Sequence, residues 1–280
     1  MHTGKKEKLL RYMTGSAAIV SLLAILQYFG LNLVPHEPFR KGMISYGTMA
    51  NPDFLGTYTA FILPAAVLLF LRSRKKAWLL CSALIYAGLL VGLCRGAWLA
   101  ALTGFLVIAA SCRRDPTKKK LLLLLAGVFL VTTLVLLPAR DGLLLHRIIS
   151  LSGEVSKGIK MDEGAGAYRF FIWQKSFKLF LRFWAFGIGP DHLLYAKIFT
   201  PNHALVDKAH NIFLEIALTM GIFALFSYLA FLSFFLRPAR NEKGFLLFTM
   251  ILVYLIQGFF NIDVVMIMPL FWISLGLSLA

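Results

Sequence analysis

The sequence predicts an all-α polytopic membrane protein, and three observations carry that prediction. Hydrophobic residues fill 59% of the 280 positions and charged residues only 15%, against about 25% charged in a soluble domain. The apolar residues fall in blocks of about 20, the length that crosses a hydrocarbon core of about 30 Å as a helix. Lys and Arg gather in short runs between those blocks, where they act as topology signals. About eight spans result, with both termini in the cytoplasm and one large extracytoplasmic loop.

The first block, Leu9 to Leu31, follows Lys5, Lys6, Lys8 and Arg11. It is long for a signal-peptide core and has no small-residue cleavage site, so it reads as a retained span. A second runs from Phe54 to Leu71 and stops at Arg72, Arg74, Lys75 and Lys76. The next stretch, Ala77 to Ser111, is 35 residues long and ends at Arg113, Arg114 and Lys118 to Lys120. As one helix it would put two basic runs on opposite sides of the membrane, against the positive-inside rule. A break at Cys94-Arg95-Gly96 makes it two short spans with an outer turn. Further spans follow at Leu121 to Leu137, Ala209 to Leu236, Phe245 to Asn261 and Val264 to Ala280.

On this reading residues 1–138 hold five spans, 139–208 the outer loop and 209–280 three spans. The cytoplasmic segments carry 16 of the 29 Lys and Arg with only Glu7, Asp115 and Glu242 as acids. A loop of 70 residues is too long for an unstructured connection. Within it, Tyr168 to Phe186 spaces Phe170, Trp173, Phe177, Phe180 and Trp184 with interleaved Arg and Lys, as in an amphipathic helix lying in the outer interface. Gly187-Ile188-Gly189-Pro190-Asp191 ends it as a turn.

The net charge of +16 is compatible with nucleic acid, but the basic residues lie between spans and are explained by topology. No nucleic-acid partner is expected. The three cysteines, Cys81, Cys94 and Cys112, form no disulfide framework. His36, His192 and His203 lack the close spacing of a metal site, and neither a metal nor a cofactor is expected. No phosphate loop, dinucleotide fingerprint or Ser–His–Asp pattern occurs.

Charged residues at membrane depth each pose a functional question. Arg95 lies about 18 residues from both flanking basic runs, which places it at the outer face. It is either an arginine reaching to headgroups or a guanidinium for an anion such as a phosphate. Arg169, on the interfacial helix, carries the same two readings. His210 stands where the loop re-enters the membrane, as an interface residue or as a general base with an ordinary pKa near 6.5. Glu215 follows inside the span and shares a helix face with Asn211 rather than with His210. Asn51-Pro52-Asp53 opens the second span, where Asn as cap and Pro at the first position are routine. Asp263 caps or anchors the last outer turn. Two arginines and a histidine near the lipid surface suit chemistry on a phosphorylated lipid.

The ordered set Gly47-Thr48-Met49-Ala50-Asn51-Pro52-Asp53, Cys94-Arg95-Gly96-Ala97-Trp98, Tyr168-Arg169 with Trp173, Gly187-Ile188-Gly189, and His210-Asn211 with Leu214-Glu215 and Gly221 resembles the O-antigen ligase and O-antigen polymerase superfamily. The resemblance covers residues 42 to 262. It implies a fold of the C-type glycosyltransferase kind in the plasma (inner) membrane. It also implies metal-independent, inverting transfer of a glycan from undecaprenyl pyrophosphate to a sugar hydroxyl on a glycan or glycolipid acceptor, at the extracytoplasmic face. Arg95 and Arg169 would hold the pyrophosphate and His210 would activate the acceptor, with Asn211, Glu215, Asn51 and Asp53 in support. Membrane lipids and polysaccharide-assembly proteins are the implied partners.

Two departures stand out: Cys94 where the family usually has serine, and fewer N-terminal spans, as in a short or N-terminally truncated member. The alternatives are a transporter or flippase subunit and a noncatalytic component of a polysaccharide-assembly complex. A transporter usually places its polar residues at the bilayer midplane, often within inverted repeats. Here the unusual polar residues lie at the outer edge and no repeat is visible. Ligase and polymerase are not separated by the sequence.

Overall fold

The computed structural model describes residues 3–34, 45–160, 162, 164, 166–236 and 242–279; His36 lies outside them. Among these residues the architecture is helical, with one isolated bridge between Phe199 and Leu205. In chain order the helices are α1 (Thr3–Tyr28), α2 (Pro52–Ser73), α3 (Lys76–Val91), α4 (Arg95–Ser111), α5 (Pro116–Leu136), α6 (Ala139–Ile159), α7 (Arg169–Arg182), α8 (Ile212–Ser233), α9 (Glu242–Gly258) and α10 (Met268–Leu279). Four of them have segments long and apolar enough to cross a membrane: Glu7–Tyr28, Pro52–Ser73, Pro116–Leu136 and Ile212–Ser233. Four more are apolar but shorter: Lys76–Val91, Arg95–Ser111, Gly244–Gly258 and Met268–Ser278.

The described residues form two compact units. The first holds α1 to α5, α6 as far as Arg147, α9 as far as Gln257, and α10. The second holds the rest of α6, α7, α8 and Gly258–Asp263.

In the first unit α2 is the central helix, with nearly every residue from Leu55 to Leu71 buried. Its neighbours approach closely because small residues stand at the crossings. A Cβ on Gly56 would lie 2.7 Å from the Cys94 Cβ and 3.0 Å from that of Ala97. One on Gly104 of α4 would lie 2.6 Å from a Val253 methyl of α9. Apolar packing between helices gains little over contact with lipid, so close backbone approach of this kind is what holds them together. At one end of the unit Arg72 pairs with Glu7 at 3.0 Å, joining the last turn of α2 to the start of α1. At the other, Arg140 donates to the Tyr28 carbonyl at 2.8 Å. The expected break between the two short spans is present: α3 ends at Val91, Leu93 is left-handed, and α4 restarts at Arg95.

In the second unit the expected span from Ala209 to Leu236 contains α8, which is long and apolar enough to cross a membrane. The helix starts at Ile212 and is broken at Gly221, whose φ of 84° and ψ of 174° are open in practice only to glycine. An unbroken helix would send the Ile222 N–H to the Leu218 carbonyl. Here Ile222 donates to the Trp184 carbonyl at 2.8 Å. The carbonyls of Leu218 and Thr219 accept instead from Ile188 and Gly189, each at 2.9 Å. The loop after α7 therefore supplies the hydrogen bonds that the break removes, as a backbone in a water-poor setting requires. A Cβ on Gly221 would collide with the Ala185 carbonyl, and one on Gly187 with the Thr219 carbonyl.

The expected amphipathic helix is present as α7 but is shorter. Helix α7 ends at Arg182 and buries Phe171, Ile172 and Ser176, while Phe177 and Trp184 of the predicted aromatic row are exposed. Phe170, Trp173 and Phe180 are half-buried, so the whole row lies off the packed face.

Gly221→Ala should destabilise the protein by about 3 kcal/mol or more, from backbone strain combined with the steric collision. Thermal unfolding in detergent would show this as a lowered midpoint, with Gly127→Ala, where nothing lies within 4 Å of the added Cβ, as the control.

Candidate functional site

Each of the three leading candidates sits at the mouth of a helix, beside a residue in left-handed conformation. Arg95 is the first residue of α4, after Leu93 at φ 53° and Cys94 as cap. Arg169 is the first residue of α7, after Tyr168 at φ 66°. His210, itself at φ 51°, precedes Asn211, the cap of α8. Non-glycine residues adopt this conformation at a cost that the surroundings must offset.

A charged side chain from elsewhere in the same unit holds each of these turns. Arg147 Nε donates to the Leu93 carbonyl at 3.0 Å. The Gly166 N–H donates to Glu154 Oε2 at 2.7 Å, and Arg169 donates weakly to the Gly166 carbonyl at 3.4 Å. The Ala209 N–H donates to Glu215 Oε2 at 2.6 Å. Neither Arg147 nor Glu154 is legible in these roles from sequence, because each acts on a backbone group at least 12 residues away.

Arg95, Asn51 and Asp53 belong to the first unit. Asn51 does what its position predicts, accepting from the Asp53 N–H at 2.8 Å as the cap of α2. Behind it Thr57 donates to the Asp53 carbonyl at 2.9 Å, and buried Gln257 donates to Thr57 at 3.1 Å and to Cys94 Sγ at 3.6 Å. Gln257 is a polar link missed in the sequence. It ties α9 to the start of α2 and to the turn that presents Arg95.

Arg169, His210, Asn211 and Glu215 belong to the second unit. Tyr168, Phe171 and Ile172 beside Arg169 share one apolar cluster with Ala209, Leu214, Leu193, Val206 and Leu218. Asn211 is buried and accepts from the Leu214 N–H at 3.0 Å. Both arginines and His210 are half-buried. At Arg95 and Arg169 neither helix start is capped by a side chain. Each arginine is thus the first residue at the positive dipole end of its helix, an end that favours anions.

Just over half of the sequence, residues 80–229, matches the family model for O-antigen ligase. The chain belongs to the O-antigen ligase family. The match runs from α3 to α8 and takes in Arg95, Arg169 and His210. Among curated proteins none matches this sequence. Membership assigns the chain a membrane role of the O-antigen ligase type, on lipid-linked glycan and acceptor substrates in general.

Before the histidine, Lys208 pairs with Asp191 and lies 3.9 Å from Glu215 Oε1. The hydrogen bond and charge of Lys208 hold the Asp191 carboxyl below its ordinary 3.8. Burial acts to lower Lys208, but Asp191, Glu215 and Asp207 together raise it above its ordinary 10.5. A depressed aspartate stabilises above its unfolded value and loses that contribution as pH falls through the folded one; a raised lysine loses its contribution as pH rises through its own folded value. The pair is thus intact across the neutral range. Asp191→Asn should speed proteolytic cleavage at Lys197 near neutral pH, with the difference from wild type vanishing in acid below the Asp191 value.

Proposed function

We propose that this chain is a glycosyltransferase of cell-surface polysaccharide assembly, transferring a glycan from undecaprenyl pyrophosphate to an acceptor sugar hydroxyl at the outer face of the plasma membrane. The observation that carries this reading is the placing of Arg169 and His210, from distant family motifs, beside one shared apolar cluster.

His210 acts as general base. It takes the acceptor hydroxyl proton while that oxygen attacks the anomeric carbon from the face opposite the leaving group. The anomeric carbon–oxygen bond breaks, its electron pair leaves with undecaprenyl pyrophosphate, and the configuration inverts. Arg95 and Arg169 bind the pyrophosphate, where guanidinium charge and fork geometry fit the charge developing on the departing group. This chemistry requires no cofactor, and no metal is assigned to it. Asn211 and Asn51 support the site as helix caps, and Glu215 and Asp53 lie beside those caps.

The eight apolar segments would cross the bilayer with both termini inside, five before the loop of residues 139–208 and three after it. Segments of 16 or 17 residues span only about 25 Å as helices, so α3 and α4 would sit where their ends are covered by protein.

The test is product formation in membranes carrying the chain, supplied with extracted lipid-linked glycans and acceptor. His210→Ala should reduce product about 100-fold or more, the usual weight of a general base. Arg95→Ala and Arg169→Ala should fall by a similar factor at equal protein level. Full activity in His210→Ala would overturn the mechanism. For the topology, a single cysteine at residue 160 should react with an impermeant reagent on intact cells, and one at residue 117 should not.

A further inference from the structure

Glu215 is the one acidic or basic side chain within the α8 membrane segment, and its contacts are directed backwards rather than across the helix. Its carboxylate accepts from the Ala209 N–H at 2.6 Å, reaching past the cap to the residue before His210. Asn211 uses its own side chain on the Leu214 N–H, and the Glu215 N–H donates to the Asn211 carbonyl at 2.8 Å. His210 therefore stands between two fixed points, the anchored Ala209 amide and the capped Asn211. Its φ of 51° is a strained conformation for a histidine. Ala209 is fully buried in the apolar cluster, so its amide has no water to fall back on.

From this geometry we infer that Glu215 is a positioning residue for His210: its carboxylate pins the Ala209 amide and so imposes the backbone turn that aims the imidazole. Lys208, paired with Asp191 and 3.9 Å from the other Glu215 oxygen, steadies the carboxylate from the loop side. Glu215 takes no proton from substrate in this role. It supplies an acceptor at a fixed place, and a carboxamide oxygen can supply the same. The inference rests on His210 being the base.

The experiment compares wild type with Glu215→Gln, Glu215→Met and His210→Ala in the glycan-transfer assay, at matched membrane levels and with kcat and KM measured separately. Glu215→Met keeps the length and removes the acceptor. Its kcat should fall about 100-fold with KM little changed, as expected when a base is misplaced by about 1 Å. Glu215→Gln keeps the acceptor and should retain kcat within about threefold, since only the charge assistance of one hydrogen bond is lost. A folded Glu215→Gln as inactive as Glu215→Met would mean that the charge or a proton matters, and would overturn the proposal. So would unimpaired Glu215→Met. If Glu215→Met does not accumulate, Glu215→Gln decides alone, preserved turnover supporting the proposal and lost turnover overturning it. Wild type without product, or His210→Ala as active as wild type, would overturn the underlying function and this proposal with it. Active wild type, inactive His210→Ala and unimpaired Glu215→Met would overturn this proposal alone.

Discussion

The break in α8 at Gly221 is the constraint on which the second unit depends. The helical hydrogen bond of the Ile222 N–H is given up there, and the loop from Trp184 to Gly189 makes three backbone bonds of 2.8 to 2.9 Å across the break. Each strand of this splice needs a glycine where the other comes closest, Gly187 against Thr219 and Gly221 against Ala185. The consequence is directional. The chain leaving α7 is fastened to the middle of α8, so the start of α7 and the start of α8 are held about their common apolar cluster. Arg169 and His210 occupy those two starts. Unsatisfied peptide groups are costly where water is scarce, which makes the splice a rigid joint.

Strain is concentrated where the candidate residues stand. Leu93, Tyr168 and His210 all take left-handed backbone conformations without being glycine, and each lies within two residues of a helix start. The compensation is of one kind in all three places: a charged side chain from outside the turn bonds its backbone. Arg147 serves Leu93, Glu154 serves Gly166, and Glu215 serves Ala209. Hydrogen bonds with an ionised partner are about twice as strong as neutral ones, and they offset a strain of about 1 to 3 kcal/mol. A turn held this way presents its side chain in one direction, which is what an anion-binding guanidinium or a proton-accepting imidazole requires.

The first unit solves a different problem, that of packing apolar helices in an apolar solvent. Its answer is close approach at Gly56 and Gly104 and a sparse set of buried polar links, Gln257 among them. That link runs from α9 through Thr57 and Cys94 to the two helix starts carrying Asp53 and Arg95. Cys94 is the cap residue of α4. Its thiol accepts from Gln257 at 3.6 Å.

Much was legible in the sequence because membrane residence is written in local composition. Blocks of apolar residues bounded by Lys and Arg mark the helices, including the restart at Arg95, since a 35-residue stretch between two basic runs has to turn back. Asn51-Pro52 was legible as a helix start because capping is a local event. The family and its candidate residues were legible as an ordered set of short motifs. The splice at Gly221 was not, because its partners are backbone groups far apart in the chain and glycine alone does not say what approaches it. Glu215 was read by helical faces, which led to Asn211. That geometry does not extend past the cap, and the carboxylate turns back to Ala209 instead. Sequence determined that this chain is helical, apolar and of the O-antigen ligase family. Tertiary structure decided how the turns bearing Arg95, Arg169 and His210 are held, because hydrogen bonds from a side chain to a backbone group outside its own helical turn leave no periodic trace in the sequence.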